Sequence, residues 1–365
     1  MSVIEAVAEP SQAALRTGVL VGFGLIARGH IEGYRRIGRM GIGAVVDITK
    51  ARRRAAETEL GLPTYASLQA ALAAASFDFV DICSPPSSHL GLMAESVAHG
   101  LPALCEKPLL ANAEDIPQLL DLVAYAPAAV HPCHNYLYAP GLIALRHALV
   151  DLGAPVNHIR MRTERVGHAQ GVPDWLPDWR RRRDIAGGGL LCDHGPHSIY
   201  LACALVGRPL LGVSCSTEHP GVGDWRDTED RVEMFLHFGP VDVEVELTWR
   251  APARATVYEV FAPGVELILK DDLLEVNRDG GLTTTTTIPS AFDDPCHGAW
   301  FADVFREIET RLNAAQPNPH LGHALMTMLG IEAAYDSARS GGRRVDLAPL
   351  PPPMVERSRF EAFPS

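Results

Sequence analysis

The chain has 365 residues, enough for two or three domains of ordinary size. Hydrophobic residues make up 47% and charged residues 21%, a globular balance, and the net charge of −12 excludes nonspecific attraction to nucleic acid or an anionic membrane surface. Only three of the 32 basic residues are lysines: Lys50, Lys107 and Lys270.

Residues 1–16 carry Glu5, Glu9 and Pro10 and lack a basic start before an apolar run, so they read as an N-terminal extension, not a signal peptide. No segment approaches the roughly 18 apolar residues needed to span a bilayer. The seven cysteines are odd in number and scattered, and no C-x-x-C occurs. A reducing cytoplasm fits that usage best.

Residues 17–22 form an apolar run ending in glycine, the pattern of a buried strand. A helix is expected over 25–38, a strand over 42–47, and a helix over 51–60 closed by Gly61. Another helix over 67–75 precedes a strand over 77–84. The helix over 88–99 ends at Gly100, a strand follows over 101–106, then a helix over 112–123 and a strand over 128–135. This alternation predicts a doubly wound, Rossmann-type parallel sheet over 17–135, covered on both faces.

The pattern changes over 136–365. A helix over 139–150 and a strand over 156–166 lead into a loop over 167–192 rich in Gly, Trp and Arg. After a helix over 193–206, strands are expected over 210–218, 230–238, 241–249, 255–262 and 265–270. The threonine run 283–287 reads as a loop or edge strand. Helices over 297–313 and 319–338 close the segment, and Pro351-Pro352-Pro353 marks an irregular tail. The expectation is an α+β domain with a large, mainly antiparallel open sheet.

Gly22-Phe23-Gly24-Leu25-Ile26-Ala27 is G-x-G-x-x-A between a strand and a helix. Gly22 suits the tight turn, Gly24 lets backbone approach a pyrophosphate, and Leu25 and Ile26 open the helix whose free N–H groups would hold it. Asp47 ends the next strand, where it can accept hydrogen bonds from a ribose diol and repel a 2′-phosphate. NAD is therefore expected, with NADP open because Lys50 and Arg52–Arg54 follow. Ser84 and Pro85 end another strand, where a rigid lip would border the cofactor; His89 either caps the next helix or faces the cofactor.

Glu106-Lys107-Pro108 also ends a strand. A lysine there is a compact charge able to hold a carbonyl oxygen or an alkoxide, although Glu–Lys is also a common surface pair. The stretch 187–197 reads Gly187-Gly188-Gly189, then Asp193 and His197 four residues apart. The glycines permit close backbone approach to a ligand. Asp193 and His197 would share a helical face, the carboxylate raising and orienting a proton-exchanging imidazole. The alternative is a helix cap beside a surface histidine. His194 points elsewhere and is taken as secondary. Fifteen histidines raise the question of metal, but no closed set of ligand spacings occurs, and none is expected.

In this order, Glu106-Lys107-Pro108 and GGG-x-x-x-D-x-x-x-H at 187–197 resemble the Gfo/Idh/MocA oxidoreductases, over nearly the whole chain after residue 16. The resemblance implies Lys107, Asp193 and His197 as the catalytic group, with His197 as acid/base, Lys107 on the reacting oxygen and Asp193 tuning the site. It implies that His134, Asn135 and Tyr136 cross near the nicotinamide, and that Trp179-Arg180 approach cofactor and substrate, with Trp175 a further substrate contact. Glu106 counts among the cofactor contacts. Tyr200 departs from the family pattern, standing where many members carry an acidic residue, and Leu137 and Tyr138 lie where a basic residue is common. Arg180–Arg183 either bind an anionic or polyhydroxylated ligand or pair with Asp178 and Asp184. The implied activity is hydride transfer between NAD(P) and a secondary alcohol or ketone of a sugar, cyclitol or derivative, in a dimer or tetramer built on the second sheet. The alternatives are an NAD-dependent glycosidase or lyase and a non-enzymatic dinucleotide sensor.

Overall fold

Short apolar runs flanked by glycine build the first sheet. The structure, a computed structural model, describes residues 15–153, 155–220, 225–289 and 296–350. Residues 1–14 of the extension expected over 1–16 therefore lie outside the described residues, while Leu15 is exposed and Arg16 already opens β1; the Pro351–Pro353 tail also lies outside them. Strands β1 (Arg16–Val21), β2 (Met40–Val46), β3 (Thr64–Tyr65), β4 (Phe79–Ile82), β5 (Ala103–Cys105) and β6 (Val130–Pro132) alternate with α1 (Leu25–Ile37), α2 (Lys50–Leu60), α3 (Leu68–Ala74), α4 (His89–Ala98) and α5 (Ile116–Tyr125). Local chemistry sets the helix ends. Thr49 and Ser67 cap α2 and α3 through their hydroxyls, and Gly38 and Gly61 close α1 and α2 in the left-handed region.

The order β3-β2-β1-β4-β5-β6, all parallel, is that of a dinucleotide-binding sheet. Register then fixes where the loops start. Val21 lies opposite Val46 and Ile82, Ile82 opposite Cys105, and Cys105 opposite Pro132. The connections beginning at Gly22, Asp47, Cys83, Glu106 and Cys133 thus leave at one level, at the carboxyl ends where ligands bind such sheets.

The expected strand over 128–135 stops at Pro132, and Asn135–Tyr138 form a 3-10 turn instead. Pro132 is tolerated because β6 is an edge strand. Beyond it come α6 (Pro140–Leu152), β7 (His158–Glu164) and three short-to-medium helices, α7 (Arg183–Ala186), α8 (Leu190–Asp193) and α9 (Gly195–Val206). The single helix expected over 193–206 is thus broken at His194, with Pro196 in the first turn of α9.

Then follow β8 (Gly212–Glu218), β9 (Arg231–His237), β10 (Asp242–Thr248), β11 (Ala255–Ala262), β12 (Val265–Lys270), β13 (Leu273–Arg278), β14 (Gly281–Thr287), α10 (Gly298–Ala314), α11 (Leu321–Arg339) and β15 (Val345–Asp346). The nine-stranded order is β14-β13-β12-β11-β7-β10-β9-β8-β15, antiparallel except for β7 with β10. Strand β13 is not foreseen from the sequence because it is only partly buried and its polar residues break the apolar alternation. The threonine run proves to be an edge strand, exposed throughout, where β-branching favours extended backbone. Among the described residues no helix is long and apolar enough to cross a membrane.

One contact ties the end of the chain to its beginning. Helix α10 packs on α1, with the Phe305 ring stacked on Tyr34 at 4.0 Å and Phe301 against His30 at 4.2 Å. Gly33 makes that approach possible, since a Cβ there would stand 2.8 Å from Phe301 Cβ. Phe301 is fully buried. Phe301→Ala is expected to cost about 3–5 kcal/mol of stability in urea denaturation; a loss below about 1 kcal/mol would contradict this packing.

Candidate active site

The first glycine turn leaves room for an anion. Gly22 has φ +92°, and a Cβ on it would collide with the Ser84 backbone at 2.7 Å. Gly24 is the opposite case, with nothing within 4 Å of a Cβ. It opens α1 with no side-chain cap and no acidic residue in the first turn, so the helix N–H groups are available to a phosphate. Leu25 is exposed beside them and Ile26 is half-buried. Asp47 is oriented by its neighbours: one carboxylate oxygen accepts the Phe23 N–H at 3.0 Å, the other the Thr49 N–H at 2.8 Å. The basic residues that follow are largely committed elsewhere. Arg52 donates to the Phe23 carbonyl and lies 3.6 Å from Asp174, and Arg53 donates to the Asp47 carbonyl. These features fit a dinucleotide.

Beneath the strand ends lies a network that the sequence reading missed. His30 of α1 is fully buried. Its Nδ1 lies 2.9 Å from Asp81, and its Nε2 lies 3.1 Å from Glu106. Tyr34 donates to the other Asp81 oxygen at 2.8 Å. Burial alone would keep His30 neutral; Asp81 and then Glu106 outweigh it and raise the imidazole to about 9. His30, Asp81 and Cys83 have metal-like spacing, but the imidazole is already engaged at both nitrogens. Glu106, expected at the cofactor, instead turns inward: one oxygen meets His30 and the other accepts the Lys107 backbone N–H at 3.1 Å.

His89, also expected at the cofactor or as a cap, does neither. Its two ring nitrogens face the Ser84 carbonyl at 2.7 Å and the Pro108 carbonyl at 2.8 Å, so it clamps two strand-end loops and keeps no polar edge free. Burial lowers its pKa. Ser84 pairs with Ser88 at 2.7 Å, and Pro85 continues the half-buried lip.

Lys107 stands on that shelf. Its Nζ donates to the Asp193 carbonyl at 2.7 Å and lies 3.5 Å from the Asp193 carboxylate. Arg180 Nε approaches the same carboxylate at 3.4 Å and His194 at 3.7 Å. Burial opposes ionisation of Asp193, but Lys107, then His194 and Arg180, hold its carboxyl well below the usual range. Burial drives His194 down to about 3 despite Asp193. His194 thus belongs to the cluster and is not peripheral.

The structure corrects the expected Asp193–His197 pairing. The break at His194 separates their faces, and the partner of His197 Nδ1 is the Tyr200 hydroxyl at 2.7 Å. Burial and then the neighbouring Lys107 charge push His197 well below the ordinary imidazole range. The Tyr136 ring lies 4.1 Å from His197 and His134 stacks on Tyr200 at 4.0 Å, while Asn135 is buried between them in sequence. Burial raises the Tyr136 phenol, and the charge of nearby Arg165, which carries no motif and was not foreseen, partly offsets that.

The triple glycine serves the protein, not a ligand. A Cβ on Gly187 would lie 2.1 Å from the Ala111 carbonyl, on Gly188 1.8 Å from the Tyr335 hydroxyl, and on Gly189 2.4 Å from the Glu229 carbonyl. Glu229 is buried and accepts the Gly189 and Leu191 N–H groups at 3.0 and 2.9 Å, so it fixes the start of α8. The arginine run also divides. Arg180 reaches the Lys107 cluster and stacks on Trp179 at 4.4 Å; Arg181 lies over Trp249, Arg182 pairs with Asp184, and Arg183 lies over Tyr335. Asp178 pairs with His168. Trp175 sits half-buried in the turn after Val172.

Comparison with known proteins bears on the family and the fold. Residues 16–134 match the model of an oxidoreductase family with an NAD-binding Rossmann fold, and residues 151–263 match the GFO/IDH/MocA C-terminal domain. A D-xylose 1-dehydrogenase (NADP(+)) of Haloferax volcanii is 32% identical over 82% of this chain and 90% of its own. The chain belongs to the Gfo/Idh/MocA family.

Other Gfo/Idh/MocA relatives include a D-apiose dehydrogenase of Paraburkholderia graminis, 27% identical over 91% of this chain and 90% of its own. A levoglucosan dehydrogenase solved with NADH shares the fold with a TM-score of 0.79, at 19% identity, covering 92% of this chain and 100% of that one. This family member is an NAD(P)-dependent dehydrogenase or reductase.

In this Gfo/Idh/MocA fold the His30 network has a pH signature. Its folded pKa lies above the ordinary value, so its contribution is full below about pH 6.5 and fades as pH rises through about 9. His30→Gln is expected to lose roughly 3 kcal/mol relative to wild type at pH 6, the gap narrowing toward pH 9.5 in denaturation curves; a constant gap would show that His30 is not charged.

Proposed function

We propose that the chain interconverts a secondary alcohol and a ketone on a sugar, cyclitol or sugar derivative, with NAD as the preferred cofactor. The observation that carries this is the placing of Lys107, with Asp193, Arg180, His194 and His197 around it, on the same shelf as the Gly22–Gly24 turn. Bound NAD would supply the hydride chemistry. The chain's own groups bind and polarise. Gly22, Gly24 and the start of α1 hold the pyrophosphate, Asp47 the adenosine ribose, and Ser84 and Pro85 border the cofactor.

The reacting oxygen would sit between Lys107 Nζ and His197 Nε2. A fixed cation and a fixed donor there stabilise charge developing on oxygen. Asp193 keeps Lys107 in place and cancels part of the surrounding positive charge. Tyr136, with Trp175, Trp179 and Arg180, offers aromatic faces and donors suited to a polyhydroxylated ring. The names of the relatives, which cover D-xylose, D-apiose and levoglucosan, support the same substrate class. A second copy would pack on the exposed face of the large sheet, where Phe235 is uncovered.

A panel of aldoses, keto-sugars and inositols, assayed with NAD and NADP, tests this reading. Lys107→Ala should lower kcat/KM at least about 100-fold on the true substrate while NADH binding, followed by fluorescence, persists; unchanged turnover would refute the assignment. Asp47→Ala should erode the preference for NAD over NADP by about tenfold or more, because the repulsion of a 2′-phosphate is gone.

A further inference from the structure

Tyr200 is fully buried, and its hydroxyl has two partners among the described residues. The oxygen accepts the Tyr136 backbone N–H at 3.3 Å. His197 Nδ1 lies 2.7 Å away. The hydroxyl proton therefore has one acceptor in reach, the Nδ1 lone pair. The reverse arrangement, with Nδ1–H donating to Tyr200, would leave that proton facing packed side chains, including the His134 ring stacked at 4.0 Å. A buried donor without an acceptor is costly enough to disfavour it roughly tenfold to a hundredfold.

We infer that Tyr200 holds His197 as the neutral tautomer protonated on Nε2, so that His197 gives the substrate oxygen a hydrogen bond and Lys107 exchanges the proton. This rests on the oxidoreductase reading above. A carboxylate at position 200 would do the opposite: it would accept Nδ1–H, free the Nε2 lone pair and make His197 a base. Tyr200 is a positioning residue in this scheme.

The surroundings point the same way. The groups facing His197 are Lys107 after β5, His134 and Tyr136 after β6, His194 before α9, Tyr200 within α9 and His297 before α10. No carboxylate contacts it among the described residues. An imidazolium would sit beside the Lys107 ammonium and other imidazoles with no counter-charge. Lys107 is better placed to exchange a proton, because its side chain keeps 17% of its surface exposed.

In reduction, Lys107 Nζ gives one proton to the substrate oxygen as the hydride from reduced nicotinamide reaches the carbonyl carbon. The C=O π bond breaks, one C–H and one O–H bond form, and the amine left on Lys107 regains its proton from solvent. Oxidation reverses each step. Throughout, His197 keeps its proton and only tightens its hydrogen bond as charge builds on oxygen.

The deciding measurement is nitrogen NMR of the full chain labelled at histidine, without substrate, with His197→Gln to assign the signal. His197 should show a protonated Nε2 and a bare Nδ1, with no titration between about pH 6 and 8. A protonated Nδ1, in either the neutral or the charged ring, overturns the proposal. Tyr200→Phe should release the constraint and give a mixture of tautomers. This readout needs no turnover, so it stands even if every sugar in the panel fails and the substrate reading falls. Kinetics give the second arm. His197→Gln keeps an N–H donor and should lose about tenfold, whereas His197→Ala should lose about 100-fold; equal losses would count against a donor role. Tyr200→Glu should add an ionisation near neutral pH to the oxidation profile that wild type lacks, and a profile identical to wild type would overturn the role given to Tyr200.

Discussion

The buried contact of His30 with Asp81 and Glu106 is the constraint on which the site depends. Three elements meet there: the helix that opens at the glycine turn, the strand β4 that ends at Ile82, and the loop that carries Lys107. A charged imidazole between two carboxylates is stable inside a protein only when all partners are present, because removing one strands the others without solvent. The network therefore couples the position of the cofactor helix to that of Lys107. Glu106 passes the constraint on directly, holding His30 with one oxygen and the Lys107 backbone with the other. Helix α10 seals the network from above with Phe301 and Phe305, so residues near the end of the chain complete a unit begun at its start.

A second arrangement offsets the overall acidity of the chain. Most of the −12 charge lies after residue 135, yet the site gathers Lys107, Arg180 and His194 around one carboxylate. Asp193 is ionised because the Lys107 and Arg180 cations face it at short range within a buried setting, where charge interactions are strong. His197, four residues on, is shaped by burial and then by Lys107 and other imidazoles. Two titratable residues four apart in sequence thus end in opposite electrostatic environments.

Much of this was legible from residue order alone. The alternation of apolar runs and helices, with Gly22, Gly24 and Asp47 at strand ends, is a local signal and gives the first sheet and its cofactor turn. Lys107 was legible because a lysine is conspicuous in an arginine-rich chain. What stayed hidden depends on contacts between distant segments. His30 meets Glu106 across 76 residues, and a lone histidine on an amphipathic helix carries no sign of that. The pairing of Asp193 with His197 failed because spacing of four implies a shared face only in an unbroken helix, and the turn at His194 breaks it. Gly187–Gly189 suggest a ligand because glycine signals close approach without saying to what; here Ala111, Tyr335 and Glu229 make the approach.

The rarity of lysine now has a structural counterpart. Lys107 uses one N–H on the Asp193 carbonyl, and an ammonium has two more to direct at other oxygens. A guanidinium in the same place would present a rigid planar fork, would favour a bidentate grip on the Asp193 carboxylate, and would not release a proton in a protein. With Arg180 already on that carboxylate, a second guanidinium would add a positive charge that cannot be switched off. If His197 is pinned in its neutral form by Tyr200, some other group at the reacting oxygen must gain and lose a proton, and among the cations gathered there a lysine is the side chain whose chemistry allows it.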